Sequence, residues 1–324
     1  MALPIGLTVL IVVVGAGAAT VLVSHLVEVL RKAPAPPEAL SWGPGMTIRY
    51  LNLNGVRLRY ALAGTGPPLL LLHTLRTQLD MFQKIIPLLT DRFQVHALDY
   101  PGHGFSDIPP GEYSAEFFIR AVSGFLEQLD LKRAVVVGES IGASIALVLA
   151  ARNNPRLRAV VAINPYDYDR GRGLRRSSAL ANLFFGLNDV PILGATVTRL
   201  RNLQVVRKVL EGGVHRADSL PDALAGEMYR VGNRRGHYRA FMALVHHWPD
   251  WARLPSEYPA IRIPVLLLYG DHDWSRPPER EATARAVPGS RMQTLPDTGH
   301  FASLDSPEPI VRAILQFAAP GLGG

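Results

Sequence analysis

An uninterrupted apolar stretch opens the chain. Residues 2–24 carry no charged side chain and are mostly Leu, Val, Ile, Ala and Gly. A helix needs about 20 such residues to cross a hydrocarbon core of roughly 30 Å, so this stretch is long enough to span a membrane. Charged residues appear between 25 and 32, and the Pro-rich run 33–37 follows them. The pattern predicts a transmembrane anchor with its flank over residues 1–32 and a stiff linker over residues 33–46.

Two other interpretations of this stretch stay open. A cleaved signal peptide would fit Ala16-Gly17-Ala18 as its cleavage site. However, the start of the chain lacks a basic region, and the apolar run exceeds the roughly 7–15 residues usual in signal peptides. A buried core helix is the third interpretation, and the Pro-rich exit argues against it. Arg31 and Lys32 follow the span, so the positive-inside rule places the remaining chain in the cytoplasm, with secretion or a periplasmic location as the alternative.

Beyond the linker, short apolar runs alternate with helix-like stretches. Residues 47–53 and 56–62 alternate in polarity on either side of Asn54-Gly55, which predicts a β-hairpin with a type I′ turn. Further runs have the composition of buried parallel strands, namely 68–73, 93–99, 134–138, 159–163, 263–269 and a short last strand at 292–295. Helix-like stretches lie between them at 79–89, 115–129 and 141–151. This alternation predicts an α/β fold with a mostly parallel sheet flanked by helices on both faces.

A long stretch from residue 166 to 256 interrupts this rhythm. It has no strand pattern and contains helical pieces such as 196–210 and 223–229. It holds 14 Lys and Arg against eight Asp and Glu, a difference of +6 out of the chain's net charge of +7. Such a surface is either simply solvated or directed at anionic lipid or an acidic substrate. The predicted domain therefore spans 47–320, with a core at 47–165 and 257–320 and a helical insertion at 166–256.

Composition narrows the chemistry. The 324 residues are 48% apolar and 19% charged, which excludes a disordered or collagen-like chain. The absence of cysteine excludes a disulfide scaffold, a Cys-based zinc site, an Fe–S cluster and a Cys nucleophile. The modest positive charge lies mostly in the insertion and comes with no recognised motif, so no nucleic-acid partner is expected. No metal or organic cofactor is implied either.

The first chemical motif is a serine between a predicted strand and a predicted helix. The sequence Gly138-Glu139-Ser140-Ile141-Gly142 has the G-x-S-x-G arrangement of a nucleophile elbow. Small residues flank the serine because backbone and helix come close at such a turn. The helix N-terminus then stabilises developing negative charge. Ser140 is therefore the candidate nucleophile.

A serine hydroxyl is a weak nucleophile and needs a base. His300 lies in a loop just after the last predicted strand, near the end of the domain, and is the candidate base. The imidazole in turn needs an orienting carboxylate. Asp271 and Asp273 both follow the strand that ends at Gly270, and the pattern alone leaves the choice between them open.

Together these motifs resemble the α/β-hydrolase superfamily, in its capped branch. The order Ser140, Asp273, His300 matches the family order of nucleophile, acid and histidine. Residues 99–107 read Asp-Tyr-Pro-Gly-His-Gly-Phe-Ser-Asp, which is similar to the D-x-P-G-x-G-x-S-D loop of the family. The resemblance covers about residues 48–317 and leaves the anchor outside. It implies an α/β-hydrolase fold.

The resemblance also settles two expectations that the pattern left open. In such proteins the acid usually stands three residues beyond the strand-ending glycine, which favours Asp273 over Asp271. The insertion at 166–256 falls where the family carries its helical lid. Substrate identity depends on that lid and on the pocket walls, which sequence patterns describe least.

One loop departs from the family pattern. Family members commonly have His-Gly after the third strand, whereas this chain reads His73-Thr74-Leu75-Arg76. By position, the N–H groups of Leu75 and Ile141 are the expected oxyanion donors. Arg76 beside them is a candidate for binding a substrate carboxylate or phosphate. The alternative is an ordinary surface arginine.

The elbow residue also separates this chain from part of the family. Haloalkane dehalogenases and epoxide hydrolases of this fold use an aspartate there, whereas Ser140 implies acyl chemistry. The resemblance thus implies a membrane-anchored serine hydrolase that cleaves an ester-type bond through an acyl-enzyme. Its expected partners are a small, apolar acyl substrate and membrane lipid. The alternatives are a non-hydrolytic enzyme with the same triad, such as a perhydrolase or lyase, and a catalytically idle member that binds a ligand or partner.

Overall fold

The computed structural model describes residues 4–318, so residues 1–3 of the predicted anchor and residues 319 and 320 of the predicted domain lie outside the described part. Its strands are β1 (Thr47–Leu53), β2 (Val56–Ala63), β3 (Pro68–Leu72), β4 (Gln94–Leu98), β5 (Ala134–Glu139), β6 (Leu157–Ile163), β7 (Val265–Gly270) and β8 (Arg291–Leu295). They form one sheet in the order β1-β2-β4-β3-β5-β6-β7-β8. The predicted strands are therefore present, each within about two residues of its expected bounds.

Strand direction divides the sheet into two parts. β1 pairs antiparallel with β2, and β2 pairs antiparallel with β4. Every further pairing in the sheet is parallel. Asn54 and Gly55 join β1 to β2 with φ values of 51° and 87°. Both are positive, as a type I′ turn requires, so the predicted hairpin is correct.

The helices within residues 4–318 lie mostly where the hydrophobic pattern places them. They are α1 (Ile5–Leu30), α2 (Ala115–Gln128), α3 (Ile141–Ala151), α4 (Ala179–Asn188), α5 (Leu193–Arg199), α6 (Leu203–Glu211), α7 (Asp222–Val231), α8 (His237–His246), α9 (Trp248–Trp251), α10 (Pro277–Ala286), α11 (Ala302–Asp305) and α12 (Pro307–Phe317). The insertion at 166–256 contains α4 to α9, together with short 3₁₀ turns.

Two helical predictions are wrong in detail. The stretch 79–89 forms two short 3₁₀ turns, because Pro87 has no N–H to donate within a continuous α-helix. The stretch 196–210 is divided between α5 and α6. The side chain of Asn202 accepts a hydrogen bond from Val205 N at 3.0 Å and so caps the start of α6.

The core lies on both faces of the sheet. Along β3, Leu70 and Leu72 pack on the face covered by α2 and α3. Leu69 and Leu71 point to the opposite face and pack in the cluster that contains α12. Continuous apolar strands are what a sheet buried on both faces requires.

Parallel strand direction brings the candidate site together. β5, β7 and β8 run in the same direction, so their carboxyl ends meet at one edge of the sheet. Ser140 directly follows β5, Asp273 follows β7, and His300 follows β8. Ligands of open α/β sheets bind at this edge.

The helix α1 is distinct from the domain over most of its length. Its most apolar window has a mean hydropathy of 2.5 and is not buried, so by length and composition the helix could cross a membrane. Near its C-terminal end, Ser24 and Glu28 are buried against the insertion. Arg201 Nη1 donates to Glu28 Oε2 at 3.0 Å, and Arg199 Nε donates to Ser24 Oγ at 3.0 Å. The end of α1 is thus fixed to the insertion by polar contacts.

Candidate active site

Ser140 stands at the sharp turn between β5 and α3. Its backbone adopts φ 59° and ψ −118°, a conformation that residues other than glycine rarely adopt. A Cβ on Gly138 would lie 2.2 Å from the backbone of Gly142, and a Cβ on Gly142 would lie 2.2 Å from the carbonyl oxygen of Leu72. Only glycine fits at either position. The sequence therefore holds the serine in a strained turn at the start of a helix.

The structure brings the three predicted triad residues into one hydrogen-bonded row. His300 Nε2 lies 2.8 Å from Ser140 Oγ, and His300 Nδ1 lies 2.5 Å from Asp273 Oδ1. All three side chains are buried. The imidazole is thus placed to accept the serine proton on one nitrogen while the carboxylate holds the other.

Asp273, rather than Asp271, faces the imidazole. Its second oxygen, Oδ2, accepts hydrogen bonds from the amide and the hydroxyl of Ser275. Burial alone would raise the pKa of Asp273, but the nearby imidazole and these hydrogen bonds together hold it below its ordinary value. Asp271 instead accepts the amides of Asp297 and Thr298, so it supports the loop that leads to His300.

The two expected oxyanion donors are the amides of Ile141, the residue after the serine, and of Leu75. Ile141 is the first residue of α3 and fully buried, and Leu75 lies in the loop after β3. Neither amide N–H has an acceptor within residues 4–318. Free backbone amides can bind a developing oxyanion where they face the reacting carbonyl, so both residues remain predicted donors.

The loop after β3 tolerates threonine in place of the family glycine. Thr74 is buried and keeps a negative φ, and the positive φ of this loop, 57°, falls at Arg76. The hydroxyl of Thr77 donates to the carbonyl oxygen of Thr74 at 2.9 Å and closes the turn. His73 is fully buried, and burial lowers its pKa to about 3, so it is neutral at ordinary pH.

Arg76 points into the molecule and not to its surface. Its guanidinium lies 4.2 Å from the ring centroid of Phe241, a residue of α8 in the insertion. Its Nη1 atom is enclosed and has no hydrogen-bond partner within residues 4–318. Burial, and next the charge of Arg201, lowers the pKa of Arg76 to about 9. Arg76 is therefore half-buried, with part of its guanidinium enclosed.

Two residues that support His300 were not anticipated from the sequence. Asn164 directly follows β6 and donates to the carbonyl oxygens of Gly299 and His300, while its own oxygen accepts the amide of Gly270. Trp274 stacks on the imidazole, with ring centroids 3.7 Å apart and planes inclined by 11°. The available sequence signals were only a polar residue at a strand end and a tryptophan beside the acid.

Glu139 is a further buried acid in the elbow. Its two carboxylate oxygens accept the amide and the hydroxyl of Ser303, at 3.0 and 2.7 Å. Ser303 belongs to α11, which begins two residues after His300. Burial raises the pKa of Glu139 to about 7, although the hydrogen bonds from Ser303 oppose that rise. The contact links the nucleophile turn to the histidine loop.

The loop at 99–107 is structural. The carboxylate of Asp99 pairs with buried Arg59 at 3.2 Å and accepts the amides of Leu79 and Phe105. A Cβ on Gly104 would overlap that carboxylate at 1.9 Å. The motif therefore builds a closed turn around Asp99.

One group of exposed side chains could approach a metal ion. His215, His272 and Asp297 have ligand atoms within 4.8 Å of one another. The two imidazoles stack face to face, with centroids 3.9 Å apart. A metal bound in the plane of one ring would lie outside the plane of the other, so this arrangement does not form a prepared chelate.

Comparisons with known proteins agree with the fold. A protein-family model described as "alpha/beta hydrolase fold" matches residues 67–307. The chain therefore belongs to the alpha/beta hydrolase family, as the sequence motifs predicted.

Individual relatives differ in their chemistry. Haloalkane dehalogenase 2 of Mycobacterium tuberculosis is 29% identical over 280 residues, which is 83% of this chain and 93% of that protein. The 2-(acetamidomethylene)succinate hydrolase of Mesorhizobium japonicum is 26% identical over 83% of this chain and 94% of that protein. Among solved structures, the enol-lactonase of Burkholderia xenovorans is 25% identical with a TM-score of 0.66, covering 83% of this chain and 99% of that one. These relatives support a hydrolase.

Proposed function

We propose that this protein is a serine hydrolase that cleaves an ester-type bond through an acyl-enzyme. The observation that carries the proposal is the hydrogen-bonded row from Ser140 through His300 to Asp273. Ser140 Oγ attacks the substrate carbonyl carbon while His300 Nε2 takes the serine proton. The tetrahedral oxyanion accepts hydrogen bonds from the amides of Leu75 and Ile141, each worth about 3–4 kcal/mol in a well-studied serine protease.

The second half of the reaction uses the same groups. His300 returns the proton to the leaving alcohol, and the acyl group stays on Ser140 Oγ as an ester. A water molecule then gives one proton to His300 Nε2 and attacks the acyl carbon. His300 returns that proton to Ser140 Oγ as the acyl–serine bond breaks, which releases the acid and restores the free serine. Asp273 holds the imidazole in position throughout and stabilises its positive charge.

The dehalogenase relative does not determine the reaction. A carboxylate nucleophile that displaces a halide forms an alkyl ester, which water can cleave. Ser140 displacing a halide would form an ether, which is inert to hydrolysis and would block the enzyme. We therefore assign the chain to acyl chemistry and not to halide release.

An ester series and a haloalkane separate these activities. The full chain should hydrolyse 4-nitrophenyl esters of two to twelve carbons, with product release that stops in the Ser140→Ala variant. It should release no bromide from 1-bromobutane. Bromide release that depends on Ser140, with no ester cleavage, would contradict the assignment.

We further propose that α1 anchors the protein in a membrane and that the insertion acts as a lid facing the bilayer. The end of α1 contacts α5 through Ser24 and Arg199. Large apolar side chains are exposed on and between the neighbouring helices α4, α5 and α6, namely Leu180, Leu183, Val190, Ile192, Leu193, Leu200 and Leu203. Exposed apolar residues beside a membrane-spanning helix favour contact with lipid.

The insertion has a net charge of +6, but several of its basic side chains are already paired with acids. The charge therefore supports an orientation toward the bilayer only weakly. Arg176 makes a two-pronged pair with Glu279 of α10, at 2.8 and 3.0 Å, and thereby attaches the insertion to the core. Lys208 pairs with Glu211. Arg239 is exposed and beside Tyr238, near the end of α1. Lipid contact is therefore carried mainly by the apolar residues, with basic side chains near the headgroups adding about 1 kcal/mol each.

Two measurements test the membrane proposal. The full chain should stay in the membrane pellet after carbonate extraction and keep its N-terminus; cleavage after Ala18 would support the signal-peptide interpretation instead.

The variant Ile192→Asp should slow hydrolysis of a long-chain ester held in vesicles by about 10-fold and leave a soluble acetate ester unaffected. Met292→Asp is the control, because Met292 is equally apolar and 46% exposed on the distant edge strand β8. Equal effects of both variants would contradict a lipid-facing lid.

A further inference from the structure

Arg76 is a half-buried cation with an enclosed Nη1 atom and no anionic partner in the described chain. No carboxylate within residues 4–318 lies within ion-pair distance of its guanidinium, and its enclosed Nη1 donates no hydrogen bond. Its contact with the described structure is the face of the Phe241 ring. A buried charge that lacks a partner is costly, so such a residue is kept where a bound group supplies the partner.

The basic groups near Arg76 have contacts of their own or are neutral, so a bound anion would pair first with Arg76. Arg201 is paired with Glu28 at 3.0 Å and donates to the carbonyl oxygen of Gly232 at 2.6 Å. His237 is buried near Arg76, and burial together with the charges of Arg76 and Arg201 lowers its pKa well below its ordinary value. His237 is therefore neutral. Arg234, the next cation of this group, also lacks an ion pair within residues 4–318, but it donates to the carbonyl oxygen of Ser106 at 2.9 Å, whereas Arg76 donates no hydrogen bond there.

The side chains of Arg76 and of the paired Arg201 line a cavity whose remaining walls are apolar. The cavity volume is about 30 Å³, so a hydrocarbon chain enters it only when the surrounding side chains move apart. Its other walls are Phe184, Phe185, Val205, Val206, Val209, Leu210 and Met228. An apolar cavity with one unpaired guanidinium suits a ligand that is mostly hydrocarbon and carries one anionic group.

Chain connectivity places this cation close to the expected reaction centre. Arg76 directly follows Leu75, whose amide is the proposed oxyanion donor, and consecutive Cα atoms are about 3.8 Å apart. An arginine side chain reaches roughly 6–7 Å from its Cα, so Arg76 can hold an anion on the order of 10 Å or less from the reacting carbonyl. Since an extended chain advances roughly 1.3 Å per bond, acyl chains of up to about eight carbons fall within that range.

We propose that the acyl part of the substrate carries a carboxylate a few carbons from the ester carbonyl, and that Arg76 binds it. The inference rests on the proposed function, since it identifies the substrate class of the same site. The substrate is then a monoester of a dicarboxylic acid, and the remaining hydrocarbon occupies the apolar walls. A neutral ester of equal length would leave Arg76 unpaired in the complex.

Matched esters test this directly. The full chain is assayed with 4-nitrophenyl hemiglutarate and with neutral 4-nitrophenyl valerate, which has the same acyl length. We expect kcat/KM to favour the hemiglutarate, and Arg76→Gln to lower kcat/KM for the hemiglutarate by about 50-fold. The neutral ester should change by less than about threefold, and Arg76→Lys should recover part of the preference. Arg253→Gln is the control, because Arg253 is 79% exposed on the insertion surface.

A binding measurement separates this inference from the proposed reaction. Glutarate should raise the melting temperature of the full chain and should not raise that of Arg76→Gln. Equal losses for both esters in Arg76→Gln, or a wild-type preference for the neutral ester, would overturn the carboxylate site while leaving the hydrolase intact. If neither ester is cleaved, the hydrolase proposal fails, and glutarate protection that depends on Arg76 would still support the anion site.

Discussion

The indole of Trp274 lies flat on the imidazole of His300, with ring centroids 3.7 Å apart and planes inclined by 11°. Trp274 Nε1 donates to the carbonyl oxygen of Gly212 at 2.8 Å, which fixes the indole against the insertion. An aromatic face stabilises a nearby cation, so this stacking favours the imidazolium that forms when Ser140 attacks.

Removing that face should slow the chemical step. Trp274→Leu is expected to lower kcat by about 5-fold with little change in KM for a small ester, because a cation–π contact is worth about 1 kcal/mol. Trp274→Phe should retain more activity than Trp274→Leu. A change confined to KM would show that the indole only binds substrate.

The two aspartates after β7 should differ sharply in their effects. Asp273→Asn is expected to lower kcat by about 10⁴-fold, because an amide favours the wrong imidazole tautomer. Asp271→Asn should mainly loosen the loop at Asp297 and Thr298, which lowers stability while kcat falls by less than about 10-fold. Steady-state kinetics and thermal melting of the folded variants measure the two effects. The assignment fails if Asp271→Asn is the crippling change.

Glu139 should make stability depend on pH. Its pKa is raised from 4.5 to about 7, so the folded state binds a proton more tightly than the unfolded state does. This contribution is present in full below pH 4.5 and is lost as the pH rises through about 7. Glu139→Gln removes the titration, so its free energy of unfolding relative to wild type should rise by up to about 3 kcal/mol between pH 5 and pH 8.

Urea unfolding at the two pH values measures that difference. Glu281→Gln is a suitable control, because Glu281 is an exposed acid of α10. A Glu139→Gln difference that does not change with pH would mean that Glu139 is ionised in the folded protein throughout this range.

The buried pair between Glu28 and Arg201 should stabilise the docking of α1. The exposed fractions of the two side chains are 8% and 2%, so removing one charge leaves the other buried without its partner. Glu28→Gln is expected to cost about 2–4 kcal/mol, measured by melting in detergent micelles. Glu227→Gln breaks the more exposed pair with Arg230 and should cost less than about 1 kcal/mol. Equal effects would mean that α1 does not rest on Arg201.

Hydrophobic pattern and turn chemistry were sufficient to predict most of the fold. The strands are short apolar runs between turn residues, and α3 follows its elbow directly, so local sequence determines them. The stretch 79–89 looks helical in sequence, but Pro87 has no N–H to donate, and the stretch forms two 3₁₀ turns. The membrane function of α1 is a different question, since length and hydropathy describe the helix and not its surroundings.

The candidate site was predictable only where a motif fixes geometry. Ser140 follows from two glycines at fixed spacing, and the family order of residues indicated His300 and Asp273. Trp274 and Asn164 act through contacts that form only when distant strands meet. The net charge of the insertion overstates its free positive charge for the same reason. Pairs such as Arg176 with Glu279 join segments about a hundred residues apart, so the sequence does not show which charges are neutralised.

Covalent labelling tests the central claim, that Ser140 is an activated nucleophile, most directly. A fluorophosphonate should add one phosphonyl group to the full chain, and peptide mass mapping should locate it on Ser140. Ser140→Ala should take up none, and His300→Ala should react at least about 10³-fold more slowly, because its serine has lost the base. Ser144→Ala, which changes the serine one turn further along α3, should still label at Ser140. Undiminished labelling of Ser140→Ala, or an adduct on another residue, would contradict the account.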